Sequence, residues 1–224
     1  MTKTRKDTDM QNQKYIYAAV FLTPYKTGEF IRFMTGFPYN HAAISLLPEM
    51  KYFYSFSRHY EKAPFFGGFT KESILRYKRK GKTAKMKIFA LPVSDEQFSD
   101  AEKEIALFEK NKGEFVYNMI SAAFFPLGIK IHIKNAYTCV EFVLEMLKKH
   151  TDIKEIQGMD FCNIREFCAA LEPFTVYEGS AERFFEGASW EGDTFPKRMG
   201  AGFYIKNTFL NNAKLLKRFI LKQK

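Results

Sequence analysis

The sequence predicts an α+β fold in which a small antiparallel sheet packs against helices. Two observations support this fold class. Short apolar or alternating segments, bounded by turn residues, occupy the N-terminal part of the chain, and this pattern is typical of strands. Longer segments further along repeat their apolar residues at helical spacing. The chain has 224 residues, of which 46% are hydrophobic and 17% aromatic, so it can bury one substantial core.

Strands are expected where apolar residues run continuously or alternate. Because neighbouring side chains in a strand point to opposite faces, His41 shares a face with Ala43 and Ser45. A turn after this segment leads into the returning strand of a hairpin. Residues 65–69 contain two adjacent glycines and are expected to form a loop. The expected strands are residues 15–22, 41–46, 52–57 and 85–91.

Helices are expected where the apolar residues recur every three or four positions. The clearest one covers residues 139–150, and it begins at a cysteine. Another begins after Ser94, which forms a capping-box pattern with Gln97. Shorter helices are expected over residues 27–35 and 117–125.

The domain organisation is simple. Residues 1–14 are polar and are expected to be disordered, and residues 15–206 are expected to form one domain. Residues 207–224 predict a basic amphipathic helix. Its apolar face is expected to carry Phe209, Ala213, Leu216 and Phe219, and its solvent face Lys214, Arg218 and Lys222, with Lys217 at the boundary.

The net charge of +10 is concentrated in two segments. Residues 71–87 hold eight basic residues and one acid, Glu72, and residues 206–224 hold six basic residues and no acid. Such segments attract nucleic acid, anionic lipid or acidic substrates. The chain carries no recognisable nucleic-acid-binding motif, so no nucleic-acid partner is expected.

The three cysteines are an odd number without the spacing of a disulfide framework, which favours a reducing compartment. The four histidines are scattered and there is no CxxC pair, so neither a metal site nor a cofactor is expected. No signal peptide is visible, and the longest apolar stretch is interrupted by proline, glycine and charged residues. A cytoplasmic protein is therefore expected.

Cys139 and His41 are the strongest candidates for catalysis. A thiol at the first residue of a helix lies among unpaired backbone N–H groups and in the positive end of the helix dipole, and both favour the thiolate. A nearby imidazole can hold the proton. Cys162 and Cys168 show no such position and are expected to be buried apolar residues.

A Cys–His pair usually needs a third group that orients the imidazole. The hairpin brings Ser55 and Ser57 towards the start of the histidine strand, and either serine could take this role. Among the other histidines, His59 is the only serious competitor for His41, because it follows the second hairpin strand. His132 and His150 are weaker candidates.

The order of these motifs is similar to that of the circularly permuted NlpC/P60 (papain-like) superfamily, which includes YiiX/YaeF-like and lecithin-retinol-acyltransferase-like hydrolases. Residues 40–46, Asn-His-Ala-Ala-Ile-Ser-Leu, resemble the histidine strand of that family. Residues 137–143, Tyr-Thr-Cys-Val-Glu-Phe-Val, resemble its nucleophile helix. The resemblance covers about residues 15–170, and the family's third, polar residue maps onto Ser55.

The resemblance implies a permuted papain-like fold and a cysteine hydrolase that acts through an acyl-enzyme. Cys139 would be the nucleophile, His41 the general base and acid, and Ser55 the orienting residue. The backbone N–H of Cys139 would stabilise the oxyanion, with Tyr137 as a candidate helper. The substrate would be a peptide amide or an acyl-lipid ester, without a cofactor.

Two alternatives stay open at the level of sequence. The chain could be a non-catalytic binding module on the same fold, for which a serine in the orienting position would be the sign of a decaying site. A membrane surface is then a candidate partner, because the C-terminal segment is basic and amphipathic. A nucleic-acid binder rests on charge alone and ranks last. The oligomeric state does not follow from the sequence.

Overall fold

Within the residues that the structure describes, a six-stranded antiparallel sheet forms the centre of the protein. This computed structural model describes residues 13–25, 28–29, 32–33, 36–77, 83–125, 128–160, 162–186, 195–196 and 199–222. The strands are β1 (Lys14–Leu22), β2 (His41–Ser45), β3 (Phe53–Arg58), β4 (Gly67–Glu72), β5 (Lys85–Val93), β6 (Val116–Tyr117), β7 (Ala136–Tyr137) and β8 (Thr175–Ser180). The sheet order is β4-β3-β2-β1-β5-β8, and β6 and β7 form a separate parallel pair.

After β5, helices make up most of the described chain. Ser94 and Asn163 each begin a helix through a reciprocal capping box, which satisfies backbone N–H groups that would otherwise lack partners. The helices are α1 (Asp95–Lys110), α2 (Met119–Phe124), α3 (Cys139–His150), α4 (Lys154–Gln157), α5 (Ile164–Leu171), α6 (Ala181–Phe184) and α7 (Ala201–Lys222). The sheet together with these helices confirms the α+β class.

The two faces of the sheet enter different cores, because alternate residues of a strand point to opposite sides. On β1, Ala18 and Val20 pack with residues of α1, α3 and α5. Ala19 and Phe21 of the same strand pack with Tyr77 and with residues of α6. Burial on both sides explains why the sequence of β1 is an almost continuous apolar run.

All four predicted strands are present, and β4, β6, β7 and β8 were missed. β1, β2, β3 and β5 coincide with the expected strands to within two residues at each end. The expected loop at residues 65–69 is wrong, because from Gly67 onwards the chain forms β4, which pairs with β3 along its whole length. The expected disorder of residues 1–14 concerns mainly residues 1–12, which lie outside the described residues, and β1 includes Lys14. The helix expected at residues 27–35 also falls largely outside them.

The C-terminal helix differs from its prediction in extent and in orientation. α7 begins at Ala201 rather than at residue 207. Leu215 and Phe219 face the domain, where they pack with Val116 and Ile133. Of the predicted apolar face, therefore, only Phe219 packs inward. Lys214 and Arg218 were expected in solvent, but each is half-buried and hydrogen-bonds a main-chain carbonyl of the domain; the side chain of Lys222 lies outside the described residues.

Candidate active site

Cys139 is held at the first residue of α3 by its neighbours in sequence. The Thr138 hydroxyl accepts a hydrogen bond from the backbone N–H of Glu141 at 3.3 Å, and the Glu141 carboxylate accepts one from the backbone N–H of Thr138 at 2.7 Å. The Ser121 hydroxyl donates to the other Glu141 oxygen at 2.7 Å. The helix end is therefore well defined, and the buried Cys139 occupies the predicted position.

His41 is the first residue of β2, and its ring faces three different groups. Its Nε2 lies 2.6 Å from Oε1 of Glu72. The Cys139 side chain lies close enough to the ring to contribute to the rise of its pKa. Because Nε2 is taken by Glu72, Nδ1 is the ring nitrogen left for the thiol. The aromatic rings of Phe21 and Tyr77 lie 6.0 and 5.6 Å from the imidazole, so the ring is packed on its faces as well.

Glu72 is the third member of this group, and the sequence analysis missed it. It is the last residue of β4, opposite Phe53 of β3, and its side chain is almost fully buried. The Ser57 hydroxyl donates a hydrogen bond to Oε2 at 3.0 Å, while Oε1 contacts His41. A signal for Glu72 was present in the sequence, because it is the single acid among eight basic residues.

The prediction that Ser55 orients His41 is wrong. Ser55 is fully buried, and its hydroxyl donates to the carbonyl oxygen of Ala42 at 2.6 Å. Its hydrogen bond therefore stays within the β2–β3 hairpin. Ser57, the other candidate, acts one step away, since it donates to Glu72.

Charge decides the protonation of His41. Burial of the ring favours the neutral form, but the Glu72 carboxylate and hydrogen bonds with Cys139 and Glu72 outweigh it and raise the pKa of His41 to about 10. Burial would raise the pKa of Glu72, yet the charge of His41 lowers it. At neutral pH the pair is therefore an imidazolium and a carboxylate. An imidazolium beside a thiol stabilises the thiolate.

Tyr117 is a second residue that the sequence analysis missed. It was expected within a helix, but it belongs to β6, and the helix starts after Asn118, whose side chain caps it. The Tyr117 hydroxyl lies next to Cys139, whose side chain and backbone both affect the pKa of Tyr117. Burial, together with the charges of Cys139 and Glu141, raises the pKa of Tyr117 well above its usual value, so the hydroxyl stays protonated.

Tyr137, the candidate helper, points elsewhere. Its hydroxyl donates to Glu145 at 3.4 Å, and its ring packs edge-on against Phe56 at 5.0 Å. Tyr137 is joined to Tyr117 only through the pairing of β6 and β7. The tyrosine hydroxyl next to Cys139 is therefore that of Tyr117, on the neighbouring strand β6.

The remaining cysteines and histidines have other surroundings. Burial raises the pKa of the Cys162 and Cys168 thiols to about 12 in each case, in agreement with their expected apolar role. Burial lowers the pKa of His59 to about 4, and its ring packs on Phe66. His150 lies at the far end of α3, where Nε2 is 2.6 Å from Glu104. His41 is the histidine whose pKa is affected by Cys139.

Comparisons with known proteins add no relative: no family model matches the chain, and neither curated proteins nor solved structures contain a significant match. In the described part of the chain, no three His, Cys, Asp or Glu side chains are grouped as a metal site would require. The helices of the described residues include none with the length and apolar character needed to cross a membrane.

Proposed function

We propose that the protein is a cysteine hydrolase that cleaves an amide or ester bond through an acyl-enzyme. The observation that carries this proposal is the line of contacts from Glu72 through His41 to Cys139. A nucleophile, a base within hydrogen-bonding reach and a third group that orients the base are the parts that covalent acyl transfer needs. All three side chains are buried, where charge interactions are stronger than in water.

The proposed reaction begins with the ion pair. The Cys139 thiolate attacks the carbonyl carbon, a C–S bond forms, and the carbonyl electrons move to the oxygen. As the tetrahedral intermediate collapses, the bond to the leaving group breaks and His41 gives its proton to the departing nitrogen or oxygen. Neutral His41 then takes a proton from water, the hydroxide attacks the acyl-enzyme, and the Cys139 thiolate leaves beside a reprotonated His41.

Tyr117 and the backbone N–H of Cys139 are the proposed oxyanion donors. Both lie at the nucleophile, and the Tyr117 hydroxyl stays protonated because of its burial. Donors placed where negative charge develops typically contribute about a hundredfold or more to the rate. Tyr117→Phe should therefore slow the chemical step by about that factor and leave the fold intact, since only one hydroxyl is removed.

A circularly permuted papain-like arrangement is part of the same proposal. The histidine strand precedes the nucleophile helix in the chain, and α3 packs against the face of β2 and β3. Glu72 comes from the strand after the hairpin, which gives the site the polar third residue that the resemblance requires. A serine in that position was one of two arguments for a non-catalytic binding module, the other being the basic C-terminal segment, and Glu72 weakens the first of them.

The test uses activated substrates of both classes. We expect p-nitrophenyl esters or peptide p-nitroanilides to acylate the protein, with an acyl adduct on Cys139 visible by intact-protein mass spectrometry. Cys139→Ser should abolish the adduct and the turnover. Cys162→Ser and Cys168→Ser are matched controls and should retain both. An adduct that persists in Cys139→Ser would contradict the proposal, and the ratio of ester to anilide turnover would assign the substrate class.

A further inference from the structure

The outer side of α7 carries a continuous row of exposed apolar side chains. Ile205, Phe209, Leu216 and Ile220 are 70%, 71%, 53% and 51% exposed. They are spaced four, seven and four residues apart, so they lie in one line along the helix. The line is about 22 Å long at 1.5 Å per residue. A contiguous apolar row of this size marks an interaction surface.

The side of α7 next to the row is attached to the domain, so the row has a defined orientation. Leu215 is 3% exposed and packs with residues of β6 and β7. Asn211 donates to the carbonyl oxygen of Gly67 at 3.0 Å, and Asn212 donates to that of Phe65 at 2.9 Å. Because Phe65 is itself 57% exposed and is held by α7, it extends the apolar surface beyond the helix.

The charge of α7 indicates which kind of partner binds the exposed apolar row. The helix contains five basic residues and neither aspartate nor glutamate. Lys206 and Lys217 are exposed and follow one flank of the row, with the exposed Leu210 and Leu221 beyond them. A straight apolar row with basic residues on its flank is suited to a flat surface with an apolar interior and an anionic outer layer.

We propose that α7 docks the protein on a membrane surface that contains anionic lipid. In this arrangement the helix lies in the plane of the interface. The side chains of the row enter the boundary between headgroups and acyl chains, while Lys206 and Lys217 contact phosphates. The contribution of the row should exceed that of the lysines, because burying one large apolar side chain stabilises the bound state more than placing one lysine near the anionic surface.

Co-sedimentation of the full chain with vesicles tests the docking. We expect binding to vesicles of phosphatidylcholine and phosphatidylglycerol in equal parts, and weaker binding to phosphatidylcholine alone. Phe209→Glu should weaken binding about tenfold or more. Leu107→Glu is the matched control, because Leu107 is a 58% exposed residue of α1 and the same change there leaves α7 intact. It should bind as the wild type does.

Further measurements distinguish a membrane from other partners that could cover the apolar row. Lys206→Ala with Lys217→Ala should reduce the preference for phosphatidylglycerol and the salt dependence of binding. Cys139→Ser should bind vesicles as the wild type does, so that this proposal and the proposed hydrolase can fail independently. Three outcomes would overturn the docking: no vesicle binding by the wild type, equal weakening by Leu107→Glu, or a dimer in sedimentation velocity that Phe209→Glu dissociates. The last outcome would assign the row to a second copy of the chain.

Discussion

Glu72 sets the charge of His41, and through His41 it influences Cys139. The 2.6 Å contact between Nε2 and the carboxylate is buried, so little solvent screens it. Ser55 lies on the neighbouring strand but hydrogen-bonds the main chain. At the scale of single residues, the two side chains therefore have separable roles: Glu72 acts on the charge of the site, and Ser55 acts on the stability of the hairpin.

The pH dependence of alkylation tests the charge role. In the wild type, iodoacetamide should label Cys139 well below about pH 8.5, the range of an ordinary thiol. His41→Ala should move the labelling profile to higher pH, because the imidazolium that stabilises the thiolate is gone. Cys162 and Cys168 should not label under native conditions. A wild-type profile centred at or above about pH 8.5 and unchanged in His41→Ala would identify Cys139 as an ordinary thiol.

Glu72→Gln and Ser55→Ala distinguish the two roles. Glu72→Gln removes the negative charge and keeps the shape, so His41 should be protonated less and the labelling profile of Cys139 should move to higher pH. Ser55→Ala should leave the profile in place and cost about 1 kcal/mol of stability, since the Ala42 carbonyl loses its partner. The test requires the pH profile of Cys139 labelling and a urea unfolding curve for each variant. A profile that moves with Ser55→Ala and not with Glu72→Gln would restore the serine as the orienting residue.

At the scale of elements, the first turn of α3 determines where Cys139 lies. Three helices of the described residues begin with a reciprocal capping box: at Thr138 with Glu141, at Ser94 with Gln97 and at Asn163 with Glu166. The boxes at Thr138 and Ser94 differ in burial, because the one at α3 is buried and the one at α1 is exposed. Because the hydrogen-bond pattern is the same, the box at Ser94 serves as a control for the box at Thr138.

Thr138→Ala and Ser94→Ala should both destabilise the protein by about 0.5–2 kcal/mol in urea unfolding, because each removes an N-cap. Only Thr138→Ala should slow the alkylation of Cys139 under native conditions, since only that cap borders the nucleophile. If Ser94→Ala slowed labelling to the same extent, the effect would come from general loosening of the fold rather than from the end of α3.

At the scale of the whole molecule, the Glu72–His41 pair couples stability to pH. The pKa of His41 is raised from 6.5 to about 10, so above pH 6.5 the folded protein holds a proton that the unfolded chain has released. Folding is therefore stabilised fully below pH 6.5, and this contribution declines as the pH rises towards 10. For Glu72, with a lowered pKa, the contribution is present at neutral pH and declines in acid.

Urea unfolding between pH 6.5 and 10 measures this coupling. The free energy of unfolding of the wild type should fall more steeply with pH than that of Glu72→Gln, in which His41 has lost its counter-charge. Ser55→Ala should lower the free energy of unfolding without changing the slope. Equal slopes in the wild type and Glu72→Gln would mean that His41 is not protonated in the folded protein.

The sequence by itself determined the elements whose pattern is local. The period of apolar residues located β1, β2, β5, α1 and α3, and position within those elements singled out His41 and Cys139. These signals are readable because a strand or helix that buries one side must repeat its apolar residues at its own period.

Only the tertiary structure decided which residues meet. β4 has a weak local pattern, with two glycines and few apolar residues, so the strand that brings Glu72 to His41 could not be located from its own sequence. Tyr117 reaches Cys139 through β6, a strand of two residues that exists because β7 pairs with it. In α7, the row from Ile205 to Ile220 resembles a core-facing side. In the fold, Leu215, Asn211 and Arg218 contact the domain instead. Which side of α7 packs inward is therefore decided by residues that lie far from the helix in the sequence.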